Sequence, residues 1–172
     1  MISLPSTPQL RWPTTDVRTS YLTGEQADCL LRTTDTDWLG AASDDFDGFV
    51  EVRRGIRTRW GVPSTVYWYT AGEHYLGTLV IRHELTPELH ETGGHIGYHV
   101  VAPWRRQGHA TRMLAAGLSH CRELGLDRAL LTCTPDNEPS RRVILANGGV
   151  ADGHAGGEDR FWITIGSGDE RN

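Results

Sequence analysis

The sequence predicts a mixed α/β fold in which a central, mostly antiparallel sheet is flanked by helices. Three observations predict it. Between Ser64 and Val101, β-branched and aromatic residues come in three short runs separated by turn-forming stretches. From Gly108 to Leu124 the apolar side chains switch to three- and four-residue spacing. Beyond Gly125 a short apolar run, a second helical stretch and two more strand-like runs follow. A strand, helix and strand in succession from His95 to Thr134 should form a right-handed parallel crossover inside the otherwise antiparallel sheet. Ligands in such sheets bind where neighbouring strands part.

Taken in order, Val17 to Arg32 carries a helical pattern interrupted by Gly24, which suggests one or two short helices. Asp35 to Gly48 is acidic and turn-rich and reads as a loop leading into a helix around Phe46 to Arg57. The runs 64-STVYWYT-70 and 75-YLGTLVIRHEL-85 form a hairpin about the turn 71-AGEH-74, and 95-HIGYHVV-101 is the third strand after the turn 86-TPELHETGG-94. In the helix from Gly108 to Leu124, Ala110, Met113, Leu114, Gly117, Leu118 and Cys121 make one apolar stripe, and Gly125 is its natural stop. Ala129 to Thr134 is a buried strand, Ser140 to Asn147 a short helix, and Val150 to His154 with Phe161 to Ile165 a closing strand pair.

Composition narrows the function. The 172 residues suit one domain, with a helical N-terminal part over 1–63, the sheet over 64–165 and a flexible tail over 166–172. No apolar run approaches the roughly 18 to 20 residues of a membrane span, and no leader pattern opens the chain, so a cytoplasmic protein without membrane partners is expected. A net charge of −5 argues against a nucleic-acid partner. Cys29, Cys121 and Cys133 are odd in number and widely spaced, which fits a reducing compartment. All 17 basic residues are arginine; without lysine, a Walker-type phosphate loop and Schiff-base chemistry are excluded. His83, His90, His95 and His99 cluster in sequence, but an i, i+4 pair on a strand is about 13 Å apart, too far for one zinc at about 2.1 Å per ligand. No metal is expected.

The stretch 104-WRRQGHATRML-114 carries the chemistry. Its backbone must turn tightly onto a helix start and present unpaired N–H groups in one concavity. Gly108 lets an anion approach, Ala110 keeps the helix close to the sheet, and Arg105 and Arg106 add full charges to the roughly half charge of the helix dipole. A pyrophosphate is the natural occupant.

Gly93 to Leu114 resembles the acetyl-coenzyme A motif of the GNAT superfamily of N-acetyltransferases: Arg105, Arg106, Gln107, Gly108, His109 and Ala110 follow directly on a strand ending VVAP. Leu130 to Val150 resembles the superfamily's strand, asparagine and helix ending in a glycine pair, with Asn137 and Ser140 three apart. RHEL near Arg82, GGHIGY from Gly93, and NGGV resemble a bacterial subgroup of that superfamily. The resemblance covers Ser64 to Ile165 well and the N-terminal third in outline. It implies the GNAT fold, with about six or seven strands, about four helices and a parallel pair splayed into a V. It also implies acetyl-CoA as cosubstrate, with pantetheine along His99, Val100 and Val101, pyrophosphate on the N–H groups of Gln107, Gly108, His109, Ala110 and Thr111, and Asn137 and Ser140 holding the pantetheine arm. The activity implied is acetyl transfer to a primary amine by direct attack in a ternary complex. A catalytically impaired acyl-CoA-binding module is the alternative.

Attack requires a neutral amine, and with a pKa near 10.4 its deprotonation at pH 7 costs about 4 to 5 kcal/mol. Glu84 and His95 are the expected bases, the latter close to where the superfamily often carries a glutamate. A backbone N–H near Tyr98 to Val100 should meet the thioester oxygen. The usual tyrosine seven positions after the asparagine is absent, since that position is Ile144; Tyr98, Cys133 or a water is left to protonate the sulfur. The aspartates at 35, 37, 44, 45 and 47 point to a cationic small-molecule acceptor, with Trp38, Trp60 and Trp68 as candidate walls of its pocket, and a homodimer is compatible with the reading.

Overall fold

The computed structural model describes residues 3–166. The tail expected over 166–172 therefore lies, from residue 167 on, outside the described residues. The eight strands are β1 (Gln9–Arg11), β2 (Ile56–Arg59), β3 (Val62–Ala71), β4 (His74–Arg82), β5 (Ile96–Val100), β6 (Arg128–Cys133), β7 (Val150–Ala155) and β8 (Glu158–Thr164). The six α-helices are α1 (Arg18–Arg32), α2 (Asp37–Asp44), α3 (Phe46–Glu51), α4 (Pro87–Glu91), α5 (His109–Glu123) and α6 (Glu138–Ala146). The mixed α/β class and the antiparallel sheet are as expected; the helices exceed the expected four because α2 and α4 occupy stretches read as loop and turn.

The strands form two antiparallel sheets. One runs β1-β3-β4-β5, with β2 beside β1 on the same edge of β3, and the other runs β6-β8-β7. They meet where the His95 N–H donates to the Leu130 carbonyl at 2.8 Å and the Leu130 N–H donates back to His95 Nδ1 at 2.9 Å. This two-bond latch joins β5 to β6 at one end and leaves the rest of the gap between them open. The latch requires a close backbone approach: Gly94 has φ of +61°, and a Cβ there would lie 2.8 Å from the Leu130 carbonyl carbon.

The N-terminal third departs most from expectation. Where one or two short helices were expected over Val17 to Arg32, Val17 ends a 3₁₀ turn and Arg18–Arg32 is one continuous helix, because Gly24 is not a break but a point of contact: a Cβ there would come within 2.9 Å of Val101 Cγ2. The acidic stretch is helical, with Asp37 opening α2 and the Asp45 carboxylate accepting the Gly48 N–H at 3.0 Å to cap α3. The helix expected to run to Arg57 stops at Glu51, and Ile56 to Arg59 is instead a strand paired with Val62 to Thr65. Between them Trp60 (φ 54°) and Gly61 (φ 74°) take the left-handed backbone of a type I′ hairpin turn.

The core fills both faces of the larger sheet. On one face Tyr21 of α1 stacks on Trp68 at 4.5 Å between ring centroids, with Phe46 and Tyr75 around them. On the other, α5 lies close enough that a Cβ on Gly117 would fall 2.7 Å from Leu79 Cδ1. Strand alternation then sends Leu79 and its partner Tyr98 toward α5, and Thr78 and its partner His99 toward α1.

Candidate active site

Two cavities, both open to solvent, meet at β5. The larger, about 1080 Å³, occupies the gap between the sheets and is lined by Tyr98, His99, Val100, Trp104 to Arg106, Gly108 to Thr111, and Asn137 to Ser140 with Arg142 and Val143; Arg32 reaches it from α1. The smaller, about 480 Å³, lies beneath, between α1 and the sheet, and His99 lines both.

The floor of the larger cleft is the start of α5. Gly108 has φ of +78° and Arg106 a φ of 59°, and no side chain caps the helix. The first intrahelical bond is Arg112 N–H to the Gly108 carbonyl, so the N–H groups of His109, Ala110 and Thr111 have no acceptor within the helix. A Cβ on Gly108 would stand 2.9 Å from Arg112 Nη1. Such a cradle fits a pyrophosphate. Arg106 is exposed at its rim, and the Gln107 side chain turns back toward the Pro103 carbonyl. Arg105, expected as a free charge, is committed: Nε donates to the Val100 carbonyl at 2.8 Å and the guanidinium is paired with the buried Asp28. Arg32 and Arg142, which the sequence reading did not select, stand at the cleft instead.

The upper edge of β5 faces the gap. The β4 register, with Val101 N–H to Leu76 O at 3.0 Å and Arg82 N–H to His95 O at 2.7 Å, directs the main chain of alternate residues, His99 and Val101 among them, to β4. The expected backbone pairing of pantetheine along His99, Val100 and Val101 is therefore corrected: the groups turned toward the gap are those of Tyr98 and Val100, and Arg105 already holds the Val100 carbonyl. Opposite, Asn137 Oδ1 caps α6 by accepting the Ser140 N–H at 3.2 Å, which leaves its amide N–H₂ as the group available to a ligand. Ser140 Oγ and the Tyr98 phenol are 2.9 Å apart, and burial pushes the phenol up to about 12, so it holds its proton at neutral pH. Ile144 is fully buried. Cys133 lines neither cavity, and burial raises its thiol.

Neither expected base lines a cavity. Glu84 is exposed in the turn after β4. His95 is the latch residue, packed against Trp162, and burial, with His90, Arg128 and Arg82 adding positive charge, holds its imidazole down to about 4. The unfolded chain therefore binds more protons than the folded one between roughly pH 4 and the ordinary histidine value. Stability should rise with pH through that window and be lost on acidification, by on the order of 3 kcal/mol. Denaturation midpoints from pH 7 to 4 check this, and His95→Asn should flatten the slope.

His99 is the histidine that faces both cavities. Its Nε2 lies 2.8 Å from Glu25 Oε1, the Tyr75 hydroxyl donates to the same oxygen at 2.6 Å, and Tyr75 in turn meets Thr78 Oγ1 at 2.6 Å. Burial alone would raise the Glu25 carboxyl, but His99, then Tyr75 and Arg32, bring it below its ordinary range. An ionised Glu25 can only accept, so Nε2 carries a proton, and in the neutral ring the lone pair is on Nδ1. The signal in the sequence was Glu25 and Asp28, two carboxylates three apart on the buried stripe of α1, only 6% and 3% exposed. Residues with that spacing share a helix face, and charges so placed have partners across the interface.

The aspartates at 35, 37, 44, 45 and 47 line neither cavity, whereas Trp38, Trp60 and Trp68 all line the smaller one. Among the described residues no group of three or more potential ligands could hold a metal ion, and no helix is long and apolar enough to cross a membrane.

The fold is shared with known acetyltransferases. Mycobacterium smegmatis RimJ, in complex with CoA-disulfide, superposes with a TM-score of 0.65 at 21% identity, over 92% of this chain and 86% of that one. RimL, a ribosomal L7/L12 alpha-N-protein acetyltransferase in complex with coenzyme A, gives 0.65 at 17%, over 95% and 97%. The microcin C7 self immunity acetyltransferase MccE, in complex with acetyl-CoA and AMP, gives 0.61 at 15%, over 91% of each chain. At these identities the likeness is one of fold. No curated relative matches by sequence. The family itself is decided by sequence: the family model for an acetyltransferase (GNAT) domain matches residues 19–150, well over half of the chain. A sheet parted at β5, an uncapped helix behind it and that match have one reading, and the chain belongs to the GNAT family of acetyltransferases.

Proposed function

We propose that the protein transfers an acetyl group from acetyl-CoA, bound in the larger cleft, to a primary amine of a small molecule bound in the smaller cavity. The observation that carries the proposal is the position of His99, which lines both cavities and is backed by the buried Glu25. The uncapped N–H groups of His109 to Thr111 would hold the pyrophosphate, with Arg32, Arg106 and Arg142 around the mouth and the Asn137 amide on the far wall. Bound there, acetyl-CoA supplies an acyl group activated as a thioester.

The chain's own residues do the rest. His99 Nδ1 takes the amine proton, and Glu25 holds the ring and stabilises its charged form, which offsets part of the 4 to 5 kcal/mol that a neutral amine costs. The N–H groups of Tyr98 and Val100 stand at the gap for the carbonyl oxygen. Tyr98, protonated and steadied by Ser140, is the proton source on the sulfur side. This assigns the base to His99 rather than to Glu84 or His95.

Calorimetric titration with acetyl-CoA tests the cofactor half. The parent should bind in the micromolar range, and Gly108→Trp, which fills the cradle, should weaken binding at least 100-fold, about 2.7 kcal/mol. No heat from the parent would overturn the proposal. Thiol release with a panel of small amines and N-terminal peptides tests the acceptor; turnover confined to peptides would replace the small molecule with a protein N-terminus.

A further inference from the structure

The smaller cavity is polarised. At its β5 end stand Glu25 and His99; Arg53, just beyond α3, and Arg59, on β2, also line it. Arg53 lies over the Phe49 ring at 3.3 Å from its centroid, and Nη1 donates to the Phe49 carbonyl at 2.9 Å. Arg59 donates to the carbonyls of Ser64 and Val52, each at 3.2 Å. Each guanidinium has five N–H donors, so most remain available. Neither forms an ion pair with any described residue. Scarcity of carboxylates is not the cause, since Asp and Glu outnumber Arg by 22 to 17. Burial pulls both arginines below their ordinary values, and each also feels the repulsion of a neighbouring arginine, Arg59 on Arg53 and Arg57 on Arg59. Two partly buried like charges, neither in an ion pair, favour a ligand that brings an anion to both.

A second observation concerns the walls. Trp60 holds a left-handed backbone (φ 54°) that a large side chain rarely adopts, and Arg82 stacks on its ring at 4.3 Å. Trp38 and Trp68 line the same cavity. Trp38 and Trp60, which remain partly exposed, stand beside arginines without ion pairs and make a wall for a flat, anionic scaffold. Arg59 pairs with Val62 and His99 with Thr78, the partner of Trp68, so the two residues are three strand spacings apart across the sheet and six residues apart along it, on the order of 14 Å and 20 Å; their long side chains reach the same cavity from opposite ends, with room for a ring or several bonds between the acceptor's two ends.

We infer that the acceptor is an amino acid-like or amino phosphate-like compound, in which an anionic group several bonds from the amine is bound by Arg53 and Arg59 while Trp38 and Trp60 cover the scaffold between. This rests on the acetyl transfer proposed above and replaces the cationic acceptor expected from the acidic N-terminal stretch.

The test uses three matched amines: 4-(aminomethyl)benzoate, the corresponding benzamide, and 4-(aminomethyl)phenyl phosphate. With the parent, kcat/KM for the carboxylate or the phosphate should exceed that of the amide at least tenfold, and which of the two leads identifies the anion. Arg59→Gln should reduce the advantage to within twofold at unchanged acetyl-CoA affinity, and Arg59→Lys should restore part of it. The same three compounds are titrated against CoA-saturated protein by quenching of tryptophan fluorescence, which needs no turnover. An amide that reacts and binds as well as the acids, or an acid preference untouched by Arg59→Gln, would overturn the inference. Tight, Arg59-dependent binding of an acid with no thiol released from acetyl-CoA by any amine would instead leave the anion site standing and remove the transfer reaction.

Discussion

His99→Gln is expected to lower kcat for amine acetylation by about 10²- to 10⁴-fold, the range of a lost general base. Acetyl-CoA should bind as before, because the main chain of residue 99 pairs with β4 and the cradle lies on α5. The diagnostic is the pH profile. As pH approaches the amine's own value near 10.4 the substrate deprotonates unaided, so the deficit should narrow steadily. A histidine serving only to pack α1 against β5 would show a deficit constant with pH. Glu25→Gln should fall in the same direction by a smaller factor, since the ring keeps a hydrogen-bond partner and loses the countercharge. A variant with full activity at pH 7 would remove His99 from the reaction.

Gly94→Ala is expected to cost about 2 to 5 kcal/mol of stability. Alanine at φ +61° costs about 1 to 2 kcal/mol for the left-handed backbone. The added Cβ also falls well inside the van der Waals contact distance of the Leu130 carbonyl oxygen, and crowding against backbone adds about 1 to 3 kcal/mol because no rotamer can relieve it. Against a total of about 5 to 15 kcal/mol for a domain, that is a large fraction. A drop in denaturant midpoint with unchanged slope checks the prediction. A stability loss under about 1 kcal/mol would mean that the backbone at the latch moves apart to admit the methyl.

The parts of the fold that were legible in sequence are those where local pattern and tertiary burial agree. The hairpin of β3 and β4, the stripe of α5 and the buried strand β6 all carry a clean period, and each lies within a residue or two of its expected place, except that β4 ends at Arg82, three residues before the expected Leu85. Where the period was ambiguous the reading failed for identifiable reasons. Gly24 reads as a helix breaker because its neighbour Val101, 77 positions along the chain, is invisible locally. Asp37 to Asp44 reads as loop because acidic residues favour turns, yet its Leu39 and Ala42 are buried and the helix is held by that packing. Ile56 to Arg59 carries no strand period and is a strand because β3 offers it an edge.

The site divides in the same way. The cradle at Gly108 is a local device, and its sequence carries it. The base proposed here is a long-range device, made when α1 brings Glu25 under His99, 74 positions away. His95 and His99 share one strand face and one residue type, so sequence could not separate a latch from a base. What separates them is the partner of each ring: a backbone N–H for His95 and a buried carboxylate for His99.

That two solvent-open cavities share His99 has a kinetic consequence for the proposed reaction. With acetyl-CoA in the larger and the acceptor in the smaller, neither substrate would have to pass the other to reach the strand. Order of addition should therefore be random: double-reciprocal plots should intersect, free coenzyme A should compete with acetyl-CoA alone, and an unreactive analogue of the acceptor should compete with the amine alone. The two products can likewise depart in either sequence, so a sluggish exit on one side does not trap the molecule on the other.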